Sequence, residues 1–129
     1  MSRSNTVIHG VTPVLGVSDS KAAEEFYCGK LGFELQFAYR PFRDHNDPCH
    51  MGVKRDDAVM RVSSFSGDGV PKTGVIIWTD DVDSLHEEFV SNGVEIDMGP
   101  IDQVWGLREM HVRDADDNKL TFAQALQTE

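Results

Sequence analysis

Three groups of side chains in this 129-residue chain have types and spacings that could do chemistry. The first is aromatic. Trp105 ends the loop Asp97–Val104, whose Gly and Pro mark a turn, so its indole is placed to present a flat face. Phe37 and Tyr39 lie in Phe33–Tyr39 (FELQFAY), where alternation puts Phe33, Leu35, Phe37 and Tyr39 on one strand face. Phe42 follows on a loop, where it could close over a ligand. Such rings stack planar groups and attract cations, each contact contributing on the order of 1 kcal/mol. The same alternation is equally that of a buried strand. The second group is Arg40–His50 (RPFRDHNDPCH), in which His45, Cys49, His50 and the aspartates have the residue types of a metal cluster. Their spacing matches no standard zinc pattern, and two prolines favour a surface loop. The third is Arg108 with Glu109, which reads more as a structural ion pair than as a general base. No Gly-x-Ser-x-Gly, phosphate loop or telling Cys/His pair stands out.

The elements that must position these residues come from a hairpin and its copy. Met110, Val112, Leu120 and Phe122 alternate with polar residues on either side of the turn Asp114–Asn118. Met51, Val53, Met60 and Val62 repeat the pattern around Asp56 and Asp57. Upstream, Glu24–Phe26 is echoed by Glu87–Phe89, and Gly32–Leu35 by Gly93–Ile96. These matches keep their order, at offsets of 59 to 63 residues, which makes duplication the better reading. In the first unit Val11–Val17 is a strand, Ser18 or Asp19 caps a helix over 20–30, and Ala22, Ala23, Phe26 and Tyr27 form its apolar face. Strands follow near 33–39, 50–55 and 58–64. In the second, Gly74–Thr79 is a strand, Asp81 or Asp83 caps a helix that stops at Asn92-Gly93, and strands near 94–97, 108–113 and 118–124 follow. The expected fold is α+β: two βαβββ units, 7–65 and 73–125, joined by linker 66–72.

Two such units resemble the vicinal oxygen chelate superfamily, which includes glyoxalase I, ring-cleaving dioxygenases and the fosfomycin and bleomycin resistance proteins. Trp105–Asp114 (WGLREMHVRD) with Asp116–Phe122 (DDNKLTF) is similar to the family's WGxREFxVxDPDGNxLxF, and Glu25–Phe33 resembles its FYxxxLGF. The resemblance covers nearly the whole chain and is greatest to the bleomycin resistance branch, which shares the Arg-Asp-Asp seen at Arg55–Asp57. Ala115 and Asp117 depart from the family's Pro and Gly. The resemblance implies a curved sheet around a cleft, a homodimer often with an exchanged N-terminal strand, a ligand-facing Trp at Trp105 and a ligand-facing aromatic at Phe37.

Many members hold a divalent metal through four positions, where imidazole and carboxylate leave sites open to substrate oxygens. Carried over one at a time, these fall on Thr12, Gly74, Thr121 and, by the repeat register, Arg61. None is a metal ligand. His9 lies three residues before Thr12, on the opposite face of a regular strand. The expectation is therefore a cleft with no metal and no cofactor, with Arg61 in a vacated metal position, able to form an ion pair or hold an anionic group.

Composition bounds the partners. One compact domain fits this length. With 22 acidic and 12 basic residues the net charge is −10, against nucleic-acid binding and consistent with a cationic ligand. No 18-residue apolar run exists, and Met1–Gly10 lacks a signal core, so a cytoplasmic protein with no membrane span is expected. Cys28 reads as helix packing, Cys49 as an open loop thiol, and Trp78 as core. The leading function is binding of an aromatic, cationic small molecule at Phe37, Tyr39, Phe42, Arg61 and Trp105, as in drug-sequestering antibiotic resistance proteins. The alternatives are a metal-dependent lyase, transferase or dioxygenase with atypical ligands such as His9 and Glu109, and a metal-free isomerase or lyase using Arg61 or Glu109.

Overall fold

The duplication is visible in the strand order. A computed structural model describes residues 2–127. The first module holds β1 (Val14–Gly16), α1 (Ser20–Glu24, continuing as a wider π-helical turn over Glu25–Lys30), β2 (Glu34–Tyr39), β3 (His50–Arg55) and β4 (Ala58–Ser63). The second holds β5 (Gly74–Trp78), α2 (Val82–Ser91), β6 (Met98–Asp102), β7 (Leu107–Arg113) and β8 (Lys119–Ala125). Their sheets run β1-β4-β3-β2 and β5-β8-β7-β6, with the first pair of each parallel and the rest antiparallel. The fold is α+β, built of two βαβββ modules.

Local chemistry sets the helix ends. Asp19 caps α1 by accepting from the Ala22 N–H at 3.1 Å, and Asp81 caps α2 by accepting from Ser84 at 3.1 Å. Gly32 (φ +77°) and Gly93 (φ +80°) follow the two helices in the left-handed conformation that glycine adopts without strain. Of the face expected for the first helix, Ala23 and Tyr27 are buried, Phe26 is half-buried and Ala22 is exposed.

One face of each sheet carries the core. Leu15, Tyr27, Leu31, Met51, Val53 and Val62 form a single cluster with Val82, Phe89, Met110, Val112, Leu120 and Phe122 of the other module. Each such side chain contributes roughly 1.5–3 kcal/mol on full burial. The modules also clasp each other reciprocally. Tyr27, at the helix end of the first, donates its hydroxyl at 2.7 Å to Asp114 in the β7–β8 turn of the second. Arg55, at the end of β3 where the β3–β4 turn begins, forks onto Glu88 of α2 at 2.7 and 2.9 Å. Asp114 is itself buried and accepts from the Asp116 and Asn118 backbone and the Asn118 amide, while that amide also donates to the Gly16 carbonyl.

Several expectations are corrected. The first strand is only Val14–Gly16, so His9 and Thr12 precede it. Phe33, Leu35, Phe37 and Tyr39 do not share a face. Leu35 pairs with Val53 while Phe37 pairs with Gly52, so Gln36 is an extra residue, a β-bulge. Phe33 and Leu35 pack on the core; Phe37 and Tyr39 point away from it and are exposed. The strand expected at 94–97 lies instead at Met98–Asp102, inside the stretch read as a loop. Gly99 and Pro100 sit at a register shift of this edge strand, where proline costs no ladder bond. Cys49 is buried in the core, so the open-thiol reading fails. Trp78 is 63% exposed and outside the core.

Candidate functional site

Strand alternation leaves each sheet with a second face, turned away from the core. Pairing register lays out the side chains there in rows. In the first module the rows are Phe37–Gly52–Arg61–Val14 and Tyr39–His50–Ser63–Gly16. In the second they are Met98–His111–Thr121–Ile76 and Ile101–Glu109–Ala123–Trp78. Arg61 stands opposite Gly52 as Thr121 stands opposite His111, so the repeat register placed Arg61 correctly.

The first module's face is an aromatic and cationic cluster. The Phe37 ring lies on Gly52, where an added Cβ would fall 2.5 Å from its Cε1. The Arg61 guanidinium carbon sits 4.9 Å from the Phe37 ring centre, and the His50 ring stacks nearly parallel to Phe37, 6.1 Å away. His50 Nδ1 is 2.8 Å from the Asp68 carboxylate, and Nε2 is 3.1 Å from Arg61. An ionised carboxylate only accepts, so Nδ1 carries the proton and Nε2 accepts from Arg61. Donation from His50 and from Ser63 holds the Asp68 carboxyl below the usual range. Tyr39 stacks on Phe65 at 6.0 Å. Arg61, Phe37 and Tyr39 are thus brought to one face. Phe42 is exposed in the following loop, and its one aromatic contact among the described residues is with His45.

The second module's face is aromatic and acidic. Trp105 is 60% exposed and donates its indole N–H at 2.8 Å to Glu109, which is 5% exposed. His111 Nε2 lies 3.2 Å from the other carboxylate oxygen. Burial pushes the Glu109 carboxyl up, but donation from Trp105, His111 and Gln103 outweighs it and holds the group below its ordinary value, ionised. The expected Arg108–Glu109 pair does not form. Neighbours along a strand point to opposite faces, and Arg108 on the helix side grips Asp83 and Asp102 at 2.9–3.1 Å.

Sequence reasoning read Trp78 as core and His50 as part of a surface loop, and gave Glu109 a site role only in the two alternative readings. Trp78 was findable: it lies an even number of residues from Gly74, a position already assigned to the cleft side. A cleft of about 810 Å³ runs between the β3–β4 turn and the end of β5, lined by Phe33, Ile77, Trp78, Asp56, Asp57 and Asp80. It includes none of Phe37, Tyr39, Arg61 or Trp105, whose faces lie open.

The donor set does not fit the superfamily's metal. Arg61 is a cation, Thr121 offers one hydroxyl, Gly74 offers no side chain, and Thr12 lies ahead of β1. His9 is exposed outside any strand, and Cys49 is buried in the core while His50 faces away from it. Among the described residues no three His, Cys, Asp or Glu side chains converge.

Comparison with known proteins places the whole arrangement. No curated protein matches the chain. Among solved structures, TnmS3, an antibiotic binding protein from Streptomyces sp. CB03234, aligns with a TM-score of 0.73 at 26% identity, over 94% of this chain and 99% of that one. A glyoxalase/bleomycin resistance protein from the same organism aligns at 0.68 and 26%, over 88% and 97%. A bleomycin-binding protein complexed with bleomycin aligns at 0.72 and 21%, over 91% and 98%, which shows a shared fold. The profile of the Glyoxalase/Bleomycin resistance protein/Dioxygenase superfamily matches residues 8–122. This chain belongs to that superfamily.

Proposed function

We propose that this protein binds a planar aromatic, cationic small molecule of the antibiotic class and sequesters it without chemical turnover. One observation carries the reading. The side chains turned outward from the two sheets include the large aromatics Phe37, Tyr39 and Trp78, with Trp105 exposed on the turn between β6 and β7, while the positions that would hold a catalytic metal carry Thr12, Gly74, Arg61 and Thr121. Exposed rings of this size on otherwise solvated faces are what a stacking site requires. The net charge of −10 favours a cationic ligand by steering. The likeness to an antibiotic binding protein at 26% identity supports the same class. Phe42, on its loop, is proposed to cover the ligand, and Arg61 to border it.

Because both faces lie open, the closed site is proposed to form between two copies. Val7, Ile8 and Val11 are exposed in the arm ahead of β1, and Ile76 and Trp78 are exposed on β5, an edge strand. A cytoplasmic homodimer without nucleic acid or membrane as partner is the assembly we infer. Among the described residues no helix is long and apolar enough to cross a membrane.

Titration with bleomycin, followed by tryptophan fluorescence, tests the reading. Saturable quenching at micromolar drug, lost in Trp105→Phe, is expected. No quenching by bleomycin or by other planar cationic antibiotics would remove it. Stoichiometric Ni, Zn, Mn or Fe in protein purified without a tag would overturn the non-catalytic part. Light scattering that finds only monomer would overturn the dimer.

A further inference from the structure

We infer that Glu109 is the specificity-determining residue that selects a ligand bearing a protonated amine over its neutral counterpart; this rests on the proposal that aromatic ligands stack at Trp105. The geometry points to an anion awaiting a counter-charge. Glu109 is 5% exposed, and its row neighbours are Ile101, Ala123 and Trp78, none of them charged. Its oxygens meet the indole N–H of Trp105 and the ring of His111, and among the described residues neither lysine nor arginine pairs with it. The two nearest arginines in sequence are committed elsewhere. Arg108 grips Asp83 and Asp102 on the other face, and Arg113 is turned to Asp97 at 3.1 Å. A carboxylate taken out of water is stable when hydrogen bonds and an opposite charge replace its hydration. Here the hydrogen bonds are present, and among the described residues no lysine or arginine supplies a permanent opposite charge.

The two carboxylate oxygens can together accept about four hydrogen bonds, and Trp105, His111 and Gln103 supply three donors, which leaves an acceptor position for a ligand. A ring laid on the exposed face of Trp105 would carry a short ammonium arm to the remaining acceptor position. The indole face attracts the same charge. The first module offers no such place. There the residue equivalent to Glu109 is His50, already held between Asp68 and Arg61. Selection for charge therefore sits in one module, while aromatic surface is offered by both.

The test compares 1-naphthylmethylammonium with 1-naphthylmethanol, two probes of the same shape that differ in charge. Binding is read from the NMR shift of the Trp105 indole N–H, assigned by its loss in Trp105→Phe. In the wild type the ammonium compound is expected to bind about tenfold more tightly. In Glu109→Gln, which keeps an acceptor for the indole, the two compounds are expected to bind within about twofold of each other. Glu109→Asp, which keeps the charge, should restore the preference and guards against misfolding of the glutamine variant. Equal affinities in the wild type, or a preference that survives in Glu109→Gln, would overturn the role of Glu109 and leave aromatic stacking standing. Failure of both compounds to shift the Trp105 signal would remove the stacking site, and this inference with it.

Discussion

The two modules share strand order, caps and core, yet their outward faces have opposite character. On the first, Arg61 covers Phe37 and is linked through His50 to Asp68. On the second, at the matched rows, a buried Glu109 holds Trp105, with His111 beside it. Duplication fixes which side chains are buried, because the inward-facing positions must fill one common core. The outward positions carry no such constraint, and there the copies have diverged from each other in charge. The lesson is that the scaffold and the site are separable in this fold: alternate residues of the same strands serve each.

The comparison can be broken or sharpened by substitution at matched positions. The largest effect is expected in the β-turns. Asp114→Ala removes the acceptor for Tyr27 and for the Asn118 backbone and amide, all buried, and should cost about 3 kcal/mol or more in urea unfolding. The matched position in the first module is Arg55, whose ion pair with Glu88 is part-exposed, and Arg55→Ala should cost about 1 kcal/mol or less. Equal losses would mean that the turns are not specialised. Next comes the floor under Phe37. Gly52→Val drives a side chain into the ring and should cost about 1–3 kcal/mol in thermal unfolding, with loss of the Phe37–Arg61 contact. The matched position in the second module is His111, which already carries a side chain, so His111→Val should cost less.

Acid stability separates the faces by another route. The folded pKa of Glu109 is depressed, so its contribution is fully present above the unfolded glutamate value, about 4.3, and is lost as pH falls through the lower folded value. Glu109→Gln should therefore flatten the acid limb of the stability curve, measured by urea midpoints between neutral pH and pH 3. An unchanged limb would place the depression elsewhere. The smallest effect is in the backbone. Asp56 (φ +50°) and Asp117 (φ +61°) are both left-handed, so glycine at either should stabilise by roughly 0.5 kcal/mol. A gain at only one would show that the two turns differ in strain.

Much of the fold was legible because its determinants are local or repeated. Asp19 and Asp81 announce helix starts, Gly32 and Gly93 follow the helix ends, and the matched Met51 and Met110 set the strand register that placed Arg61. What escaped was the assignment of residues to faces. Gln36 adds one residue to β2, and that is enough to turn Phe37 and Tyr39 away from Phe33 and Leu35. A bulge on an edge strand leaves no local mark, since it is fixed by pairing with β3. The same holds at Gly99 and Pro100, where turn-forming residues lie within an edge strand. The resemblance singled out Trp105, whose ring is exposed, but its link to Glu109 depends on which side of β7 each residue takes. The reading of Trp78 as core came from its central-looking apolar strand; β5 is an edge, and its outward side is open.

The reciprocal clasp of Tyr27 with Asp114 and Arg55 with Glu88 has a consequence for the chain's continuity. Each half anchors a turn of the other, and both contribute to one core, so the covalent link between them is needed to bring them together more than to hold them. A chain severed within segment 66–72 should remain a heterodimer of fragments that co-elute, and separately expressed halves should reconstitute when mixed. Halves that fold alone and elute apart would show that the modules, despite their clasp, are autonomous.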